Sequence, residues 1–167
     1  MVREGAFMRN THYDYVPTHT APGHASVYTG TTPMHHGIVA NDMFVRSTGG
    51  GLYCVQDDAV TGVGASGYKG QRSPLNLLSG TIADELERST EGRSKTIGVA
   101  MKDRGAILPI GRTGDAAYWF FEGTDGYFAS STWYLKELPG WVNDFNAQGR
   151  AKMYLNEPWE LLLPRDR

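Results

Sequence analysis

The chain of 167 residues is 40% hydrophobic and 20% charged, which is enough apolar material for one domain with a true core. Sixteen Lys and Arg against eighteen Asp and Glu leave a formal charge of −2 with no basic block, which argues against general binding to nucleic acid or to an anionic membrane. No run approaches the length of a membrane span, the start Met1-Val-Arg-Glu-Gly5 lacks the apolar core of a signal peptide, and the single Cys54 excludes a disulfide within this chain.

In chain order, the first predicted helix begins at Thr20, because Pro22 is tolerated in a first turn, where its missing N–H has no partner to lose. Ala25, Val27 and Tyr28 continue the helix, and Gly30 ends it. A helix start exposes unpaired N–H groups and the positive end of the dipole, so it attracts anions such as phosphate, and a hydroxyl held there is placed to attack phosphorus. Capping alone would also explain Thr20. Capping does not, however, call for His19, His24, His35 and His36 around it, nor for the polar pair Asn41-Asp42 that closes the following loop.

Further on, residues 43–46 and 52–55 read as a hairpin around Gly49-Gly-Gly51, with Cys54 a packed strand residue rather than a nucleophile. Residues 62–70 read as a flexible loop. Ser73-Pro74 predicts a helix start, with Leu75, Leu78, Ile82 and Leu86 recurring at helical spacing toward Gly92. Residues 94–101 then form an apolar, β-branched run that suits a buried parallel strand, and helix followed by strand is half of a βαβ crossover. Lys102-Asp103-Arg104 closes that strand. In an extended continuation Lys102 and Arg104 point together and Asp103 points away, outside the carboxyl end of a strand, where ligands of parallel sheets bind. A second hairpin is predicted from residues 118–121 and 127–129 around Gly123-Thr-Asp-Gly126, with its aromatic cluster packing beneath it, and a helix starts near Leu138-Pro-Gly140. Residues 156–164 carry no legible chemistry.

The string Thr20-Ala-Pro-Gly-His-Ala-Ser-Val-Tyr-Thr-Gly30, followed by Thr32-Pro-Met-His-His-Gly-Ile-Val-Ala-Asn-Asp42, resembles the nucleophile region of the alkaline phosphatase superfamily. Lys102-Asp-Arg-Gly-Ala-Ile-Leu-Pro109 resembles the segment that supplies phosphoryl-binding Lys and Arg in PafA-type bacterial alkaline phosphatases. Phosphodiesterase and nucleotide pyrophosphatase relatives share the first pattern and lack that cationic pair. The resemblance implies an α/β fold, part of a three-layer alkaline-phosphatase-like domain with a mainly parallel central sheet and β-hairpin insertions. Residues 1–167 would be an incomplete N-terminal portion of one catalytic domain.

Carried over residue by residue, the resemblance makes Thr20 both nucleophile and zinc ligand, Asn41 a donor to a phosphate oxygen, and Lys102 and Arg104 a cationic clamp. It implies Zn2+ as cofactor, two ions per complete site, and a small-molecule phosphate monoester as substrate, hydrolysed through a phosphothreonine. Zinc would answer the weak nucleophilicity of a free Thr hydroxyl. The resemblance implies that the other ligands lie on a strand before Met1 and in segments beyond Arg167, and the chain offers no substitute for them: no His-Glu-x-x-His run, no Cys pair and no His pair at i, i+4. The isolated chain is therefore expected to be inactive. For the complete protein the resemblance implies a periplasmic or secreted location. Two other readings stay open: a diesterase or nucleotide pyrophosphatase of the same superfamily, and a non-catalytic module that keeps only a phosphate pocket.

Overall fold

The computed structural model describes residues 4–121, 126–155 and 157–163. Gly123-Thr-Asp125 of the predicted second turn, Asn156 and Pro164 lie outside the described residues.

Helix α1 (Thr20–Thr29) forms where predicted, with Pro22 in its first turn. It stops at Gly30, whose φ of 67° is the left-handed conformation that a glycine adopts without penalty. Its buried residues are Ala21, Pro22 and Ala25, a small-residue face that allows close packing. A single turn, α2 (Pro33–His36), follows and ends at Gly37. Strands β1 (Asp42–Val45) and β2 (Gly50–Tyr53) then form the first hairpin in the register Asp42 to Tyr53. The Gly-rich turn places Cys54 just beyond β2, fully buried.

Residues 62–70 are more regular than the loop expected there. They hold strand β3 (Gly62–Val63) and a 3-10 turn (Tyr68–Gly70), and the two segments touch through backbone, since a Cβ on Gly62 would lie 3.1 Å from Gly70 Cα. Glycine here is a packing requirement rather than a mark of freedom.

The predicted helix start at Ser73-Pro74 is not used. The Ser73 hydroxyl donates to Asp57 Oδ2 and accepts from Leu75 N, and Asn76 spends its amide on the carbonyls of Cys54 and Gln56, so these residues close a turn on the preceding loop. Helix α3 (Ile82–Ser89) begins later, at the capping box of Thr81 and Asp84. Asp84 also accepts from Arg112 N, Thr113 N and Thr113 Oγ1, which ties the start of α3 to the residues after the next helix. Burial pushes its carboxyl up, but this set of donors outweighs burial and holds it below the usual carboxylate range.

Strand β4 (Ile97–Ala100), helix α4 (Asp103–Ile110) and strand β5 (Ala116–Phe121) complete a βαβ unit in which β4 and β5 pair in parallel. Strand β6 (Tyr127–Ser131) returns antiparallel to β5, as the second predicted hairpin requires. The four-stranded sheet runs β3-β6-β5-β4 and is mixed: its one parallel pairing is β4 with β5. Strand β4 is not the fully buried strand expected. It lies at the sheet edge, with Ile97 and Val99 exposed and Gly98 buried. Gly98 is fixed by proximity, because a Cβ there would lie 2.0 Å from the Ala106 carbonyl oxygen of α4.

Helices α1 and α4 pack together over this face, and the main core gathers Ala21 and Ala25 with Ala106, Ile107, Leu108, Ala117 and Trp119. On the other face, α5 (Gly140–Ala147) places Val142 against Ala116 and Tyr118. Asn146 of α5 exchanges both amide hydrogen bonds with the Phe128 backbone at 2.8 Å, and Phe128 stacks edge-on with Phe120 and Phe145, so the aromatic cluster packs around the hairpin as expected. A last short turn, α6 (Arg150–Met153), follows.

Candidate active site

Two helix starts and one hairpin base build the candidate site. Thr20, half-buried, is the first residue of α1, and His19 before it offers no side-chain cap. Asn41 fills that role from across the loop: its Oδ1 accepts from Ala21 N at 2.9 Å. With the oxygen so engaged, the two Nδ2 protons are the part of the amide left to donate. The Asn41 backbone carbonyl accepts from Cys54 N, so Asn41 stands at the foot of the hairpin, opposite the end of β2.

At that same foot, Tyr53 reaches helix α4. Its hydroxyl donates to Asp103 Oδ1 at 2.6 Å and accepts from Arg104 Nη1 at 2.6 Å. Asp103 Oδ2 accepts from Arg72 Nε at 2.8 Å, and the Arg72 guanidinium lies 4.7 Å from the centre of the Tyr53 ring. Arg72 and Asp103 are both nearly buried, at 8% and 13% side-chain exposure. The hairpin base thus holds the start of α1 through Asn41 and the start of α4 through Tyr53. The two starts are also neighbours, since a Cβ on Gly105 would lie 3.8 Å from His24 Nε2.

The predicted geometry of Lys102 and Arg104 needs correction. The chain does not stay extended: Lys102 is the last extended residue, and α4 begins at Asp103. Asp103 therefore turns into the site, where sequence alternation had pointed it away. Lys102 and Arg104 still line one cleft of about 520 Å³, together with Asp42, Tyr53, Arg72 and Trp119. Lys102 is exposed and Arg104 half-buried. Thr20 borders a separate depression of about 420 Å³ with His19, His24 and Tyr28. The structure thus joins Asn41 to the Thr20 helix and Lys102 to Arg104, with the Thr20 depression distinct from the Lys102 and Arg104 cleft.

The electrostatics around the hairpin base favour protonated neighbours. Burial, then the charge of Asp103 and the hydrogen bond to it, raise the Tyr53 hydroxyl well above its ordinary value, so it stays a donor. Burial first, and Asp103 second, push the Cys54 thiol up to about 12, consistent with a packing role. His36 is fully buried, and burial lowers its pKa. Its Nδ1 accepts from Ile38 N, so the neutral ring carries its proton on Nε2, toward Ser26 Oγ at 3.0 Å. His24 Nδ1 lies 2.8 Å from the Thr20 carbonyl oxygen and so bonds within its own helix.

No three His, Cys, Asp or Glu side chains are grouped to hold a metal ion among the described residues. Thr20, the ligand expected from sequence, is a single oxygen without companions, so these residues do not form a zinc site by themselves.

Sequence reasoning missed Tyr53, Arg72 and the inward turn of Asp103. The contacts link residues 50 and 31 positions apart, beyond any local periodicity. The one available signal was the phase change from strand to helix at Asp103, an acidic residue suited to a first helical turn.

The family model for type I phosphodiesterase / nucleotide pyrophosphatase matches residues 1–166. A Myroides odoratus protein named calcium-transporting ATPase is 47% identical over 99% of this chain and 30% of its own length. Alkaline phosphatase PhoV of Synechococcus elongatus is 48% identical over 98% of this chain and 30% of its own length. The crystal structure of alkaline phosphatase PafA superposes with a TM-score of 0.89 at 45% identity, over 96% of this chain and 31% of that one, and a variant of it replaced at four positions gives 0.88. The chain spans about 30% of the length of the curated relatives it matches. With the family model covering nearly every residue, the chain belongs to the type I phosphodiesterase / nucleotide pyrophosphatase family, among the PafA-type members of the alkaline phosphatase superfamily.

Proposed function

We propose that the complete protein hydrolyses phosphate monoesters, with Thr20 as nucleophile, Asn41 donating to a phosphoryl oxygen, and Lys102 and Arg104 as the cationic clamp. The observation that carries the reading is the hairpin base, which binds the α1 start through Asn41 and the α4 start through Tyr53. The relatives support it. The solved PafA variant replaces a threonine, an asparagine 21 positions later, and a lysine and an arginine two positions apart. Thr20 and Asn41 have that same separation, and so do Lys102 and Arg104.

In this reading the Thr20 oxygen attacks phosphorus, the alcohol leaves, and water then hydrolyses the phosphothreonine. Asn41 contributes uncharged donors, Lys102 a point charge and Arg104 a planar fork, which together stabilise the transferring phosphoryl group. Zn2+ belongs to the proposal as cofactor of the complete protein, with Thr20 as one ligand and the others outside this chain. When bound, the metal lowers the pKa of an oxygen ligand and polarises phosphoryl oxygens. The isolated chain is then inactive, because metal held by one oxygen is not retained. A periplasmic or secreted location belongs to the same proposal. The chain contains no helix long and apolar enough to cross a membrane among the described residues.

The family description itself favours a second reading, hydrolysis of phosphodiesters or nucleotide pyrophosphates at the same residues. Full-length protein assayed on an aryl monoester and the matching diester separates the two. The monoester is expected to be the better substrate, and Thr20→Ala is expected to abolish a covalent phosphoenzyme trapped by acid quench and located by mass spectrometry. Detection of the same adduct in Thr20→Ala reassigns the nucleophile. Arg104→Ala is expected to cost the monoester roughly 100-fold and the diester less, since the monoester has one more charged oxygen to lose contact with. Equal losses on both substrates favour the diesterase reading.

A further inference from the structure

We propose that Tyr53 is a positioning residue, whose hydroxyl sets the orientation of the Arg104 guanidinium toward a bound phosphoryl group; this rests on the reading of Arg104 as a phosphate ligand. The hydroxyl sits between a group that only donates and a group that only accepts. It accepts from Arg104 Nη1 at 2.6 Å and must therefore direct its one proton to Asp103 Oδ1, also at 2.6 Å. Neither bond can reverse, so the hydroxyl has no alternative rotor.

The spacer matters because Asp103 adjoins Arg104 in sequence and lies close to it in space. Arg104 Nη1 and Asp103 Oδ1 are 3.8 Å apart, beyond a direct hydrogen bond, with the Tyr53 oxygen bridging them. Asp103 is instead paired with Arg72, and its Oδ1 also accepts from Arg104 N at 2.7 Å. Arg72 is in turn anchored on the carbonyls of Tyr68 and Gln71. The carboxylate is thus satisfied without capturing the Arg104 fork. Tyr53 takes one guanidinium nitrogen, and Nε of Arg104 is buried with no partner among the described residues. With Nη1 taken and Nε enclosed by the fold, Nη2 is the guanidinium nitrogen left to meet a phosphoryl oxygen, on a plane that Tyr53 fixes.

Tyr53 itself needs no contact with substrate. It stands at the end of β2, in register with Asp42, so the same short hairpin that places Asn41 also sets the angle of Arg104. A rotated guanidinium would cost a dianionic monoester more than a monoanionic diester.

The test is a double-mutant cycle in the full-length enzyme: wild type, Tyr53→Phe, Arg104→Ala and the double variant, each assayed on an aryl phosphate monoester and diester, with inhibition by inorganic phosphate as the binding readout. Tyr53→Phe keeps the ring over Arg72 and removes the hydroxyl alone. It is expected to lower monoester kcat/KM roughly tenfold, to change the diester value less, and to weaken phosphate inhibition in proportion. In the Arg104→Ala background it is expected to do nothing further. A loss of the same size in that background would show that Tyr53 acts elsewhere, for instance only by packing, and would overturn the inference, as would an unchanged Tyr53→Phe enzyme. If Arg104→Ala itself leaves the monoester rate intact, the reading of Arg104 as a phosphate ligand fails first and the inference falls with it.

Discussion

The two faces of the four-stranded sheet follow the same alternation and end differently. Toward α4, Gly98, Ala117, Trp119 and Ala129 are all buried. On the opposite face, Ala116 and Tyr118 are covered by Val142 of α5, while Ile97 and Val99 of β4 remain 53% and 61% exposed. The strands are equally apolar on both sides, and the difference lies in the supply of helices. Helices α1 and α4 both serve the first face, and α5 alone serves the second, reaching β5 and β6. The cleft with Lys102 and Arg104 lies at the end of β5, lined by Trp119, Phe120 and Phe121. The candidate chemistry therefore borders both layers at the carboxyl end of the parallel pair.

Substitutions of graded size test that contrast. The largest effect is expected from Asp103→Ala, which leaves Arg72 charged and nearly buried without its carboxylate. Urea unfolding should register a loss of about 3–5 kcal/mol, and a loss under about 1 kcal/mol would show the pair to be solvated in practice. Gly98→Ala comes next. The new methyl group collides with the Ala106 backbone, so β4 must shift away from α4 at a cost of about 1–3 kcal/mol. An unchanged midpoint would mean that the packed face is looser than its distances indicate.

A smaller effect concerns His36. Because burial lowers its pKa below the ordinary 6.5, the folded state binds fewer protons than the unfolded chain as the solution acidifies. Its contribution is fully present above 6.5 and is lost as pH falls through the window below it. Unfolding curves between pH 8 and 5 should show this decline, and His36→Asn should flatten it. A decline of the same slope in the variant would assign it to other groups. The smallest change is expected on the open face: Val99→Thr should alter the stability of this chain by no more than about 0.5 kcal/mol. A larger loss would show that Val99 is covered in solution.

Much of this layout was legible in the residues, where the rules are local. Pro22 and Gly30 bracket α1, and the glycines at 49–51 fix the first hairpin, because these residues restrict or free the backbone whatever surrounds them. Ser73-Pro74 misled for the opposite reason: its hydroxyl was claimed by Asp57, 16 residues away, and the true cap was the box at Thr81 and Asp84. The edge position of β4 was invisible for a similar cause, since an apolar run states that a strand can be buried and not which neighbours are present to bury it. Thr20, Lys102 and Arg104 stood out by residue type and position, while the roles of all four, Asn41 included, came from the family resemblance. How Asn41 meets α1, and how Tyr53 and Arg72 hold the start of α4, depends on contacts that only the folded chain creates.

Asp84 carries a consequence for motion. Helix α3 buries none of its residues, yet its first turn is bound through one carboxylate to Thr81, Arg112 and Thr113. Its inner side is held as well, since Ala83 packs against the main core and Glu87 accepts from Ser94 Oγ. Amide hydrogen exchange along α3 should therefore be slowest near Asp84 and faster in the exposed turn that ends at Ser89.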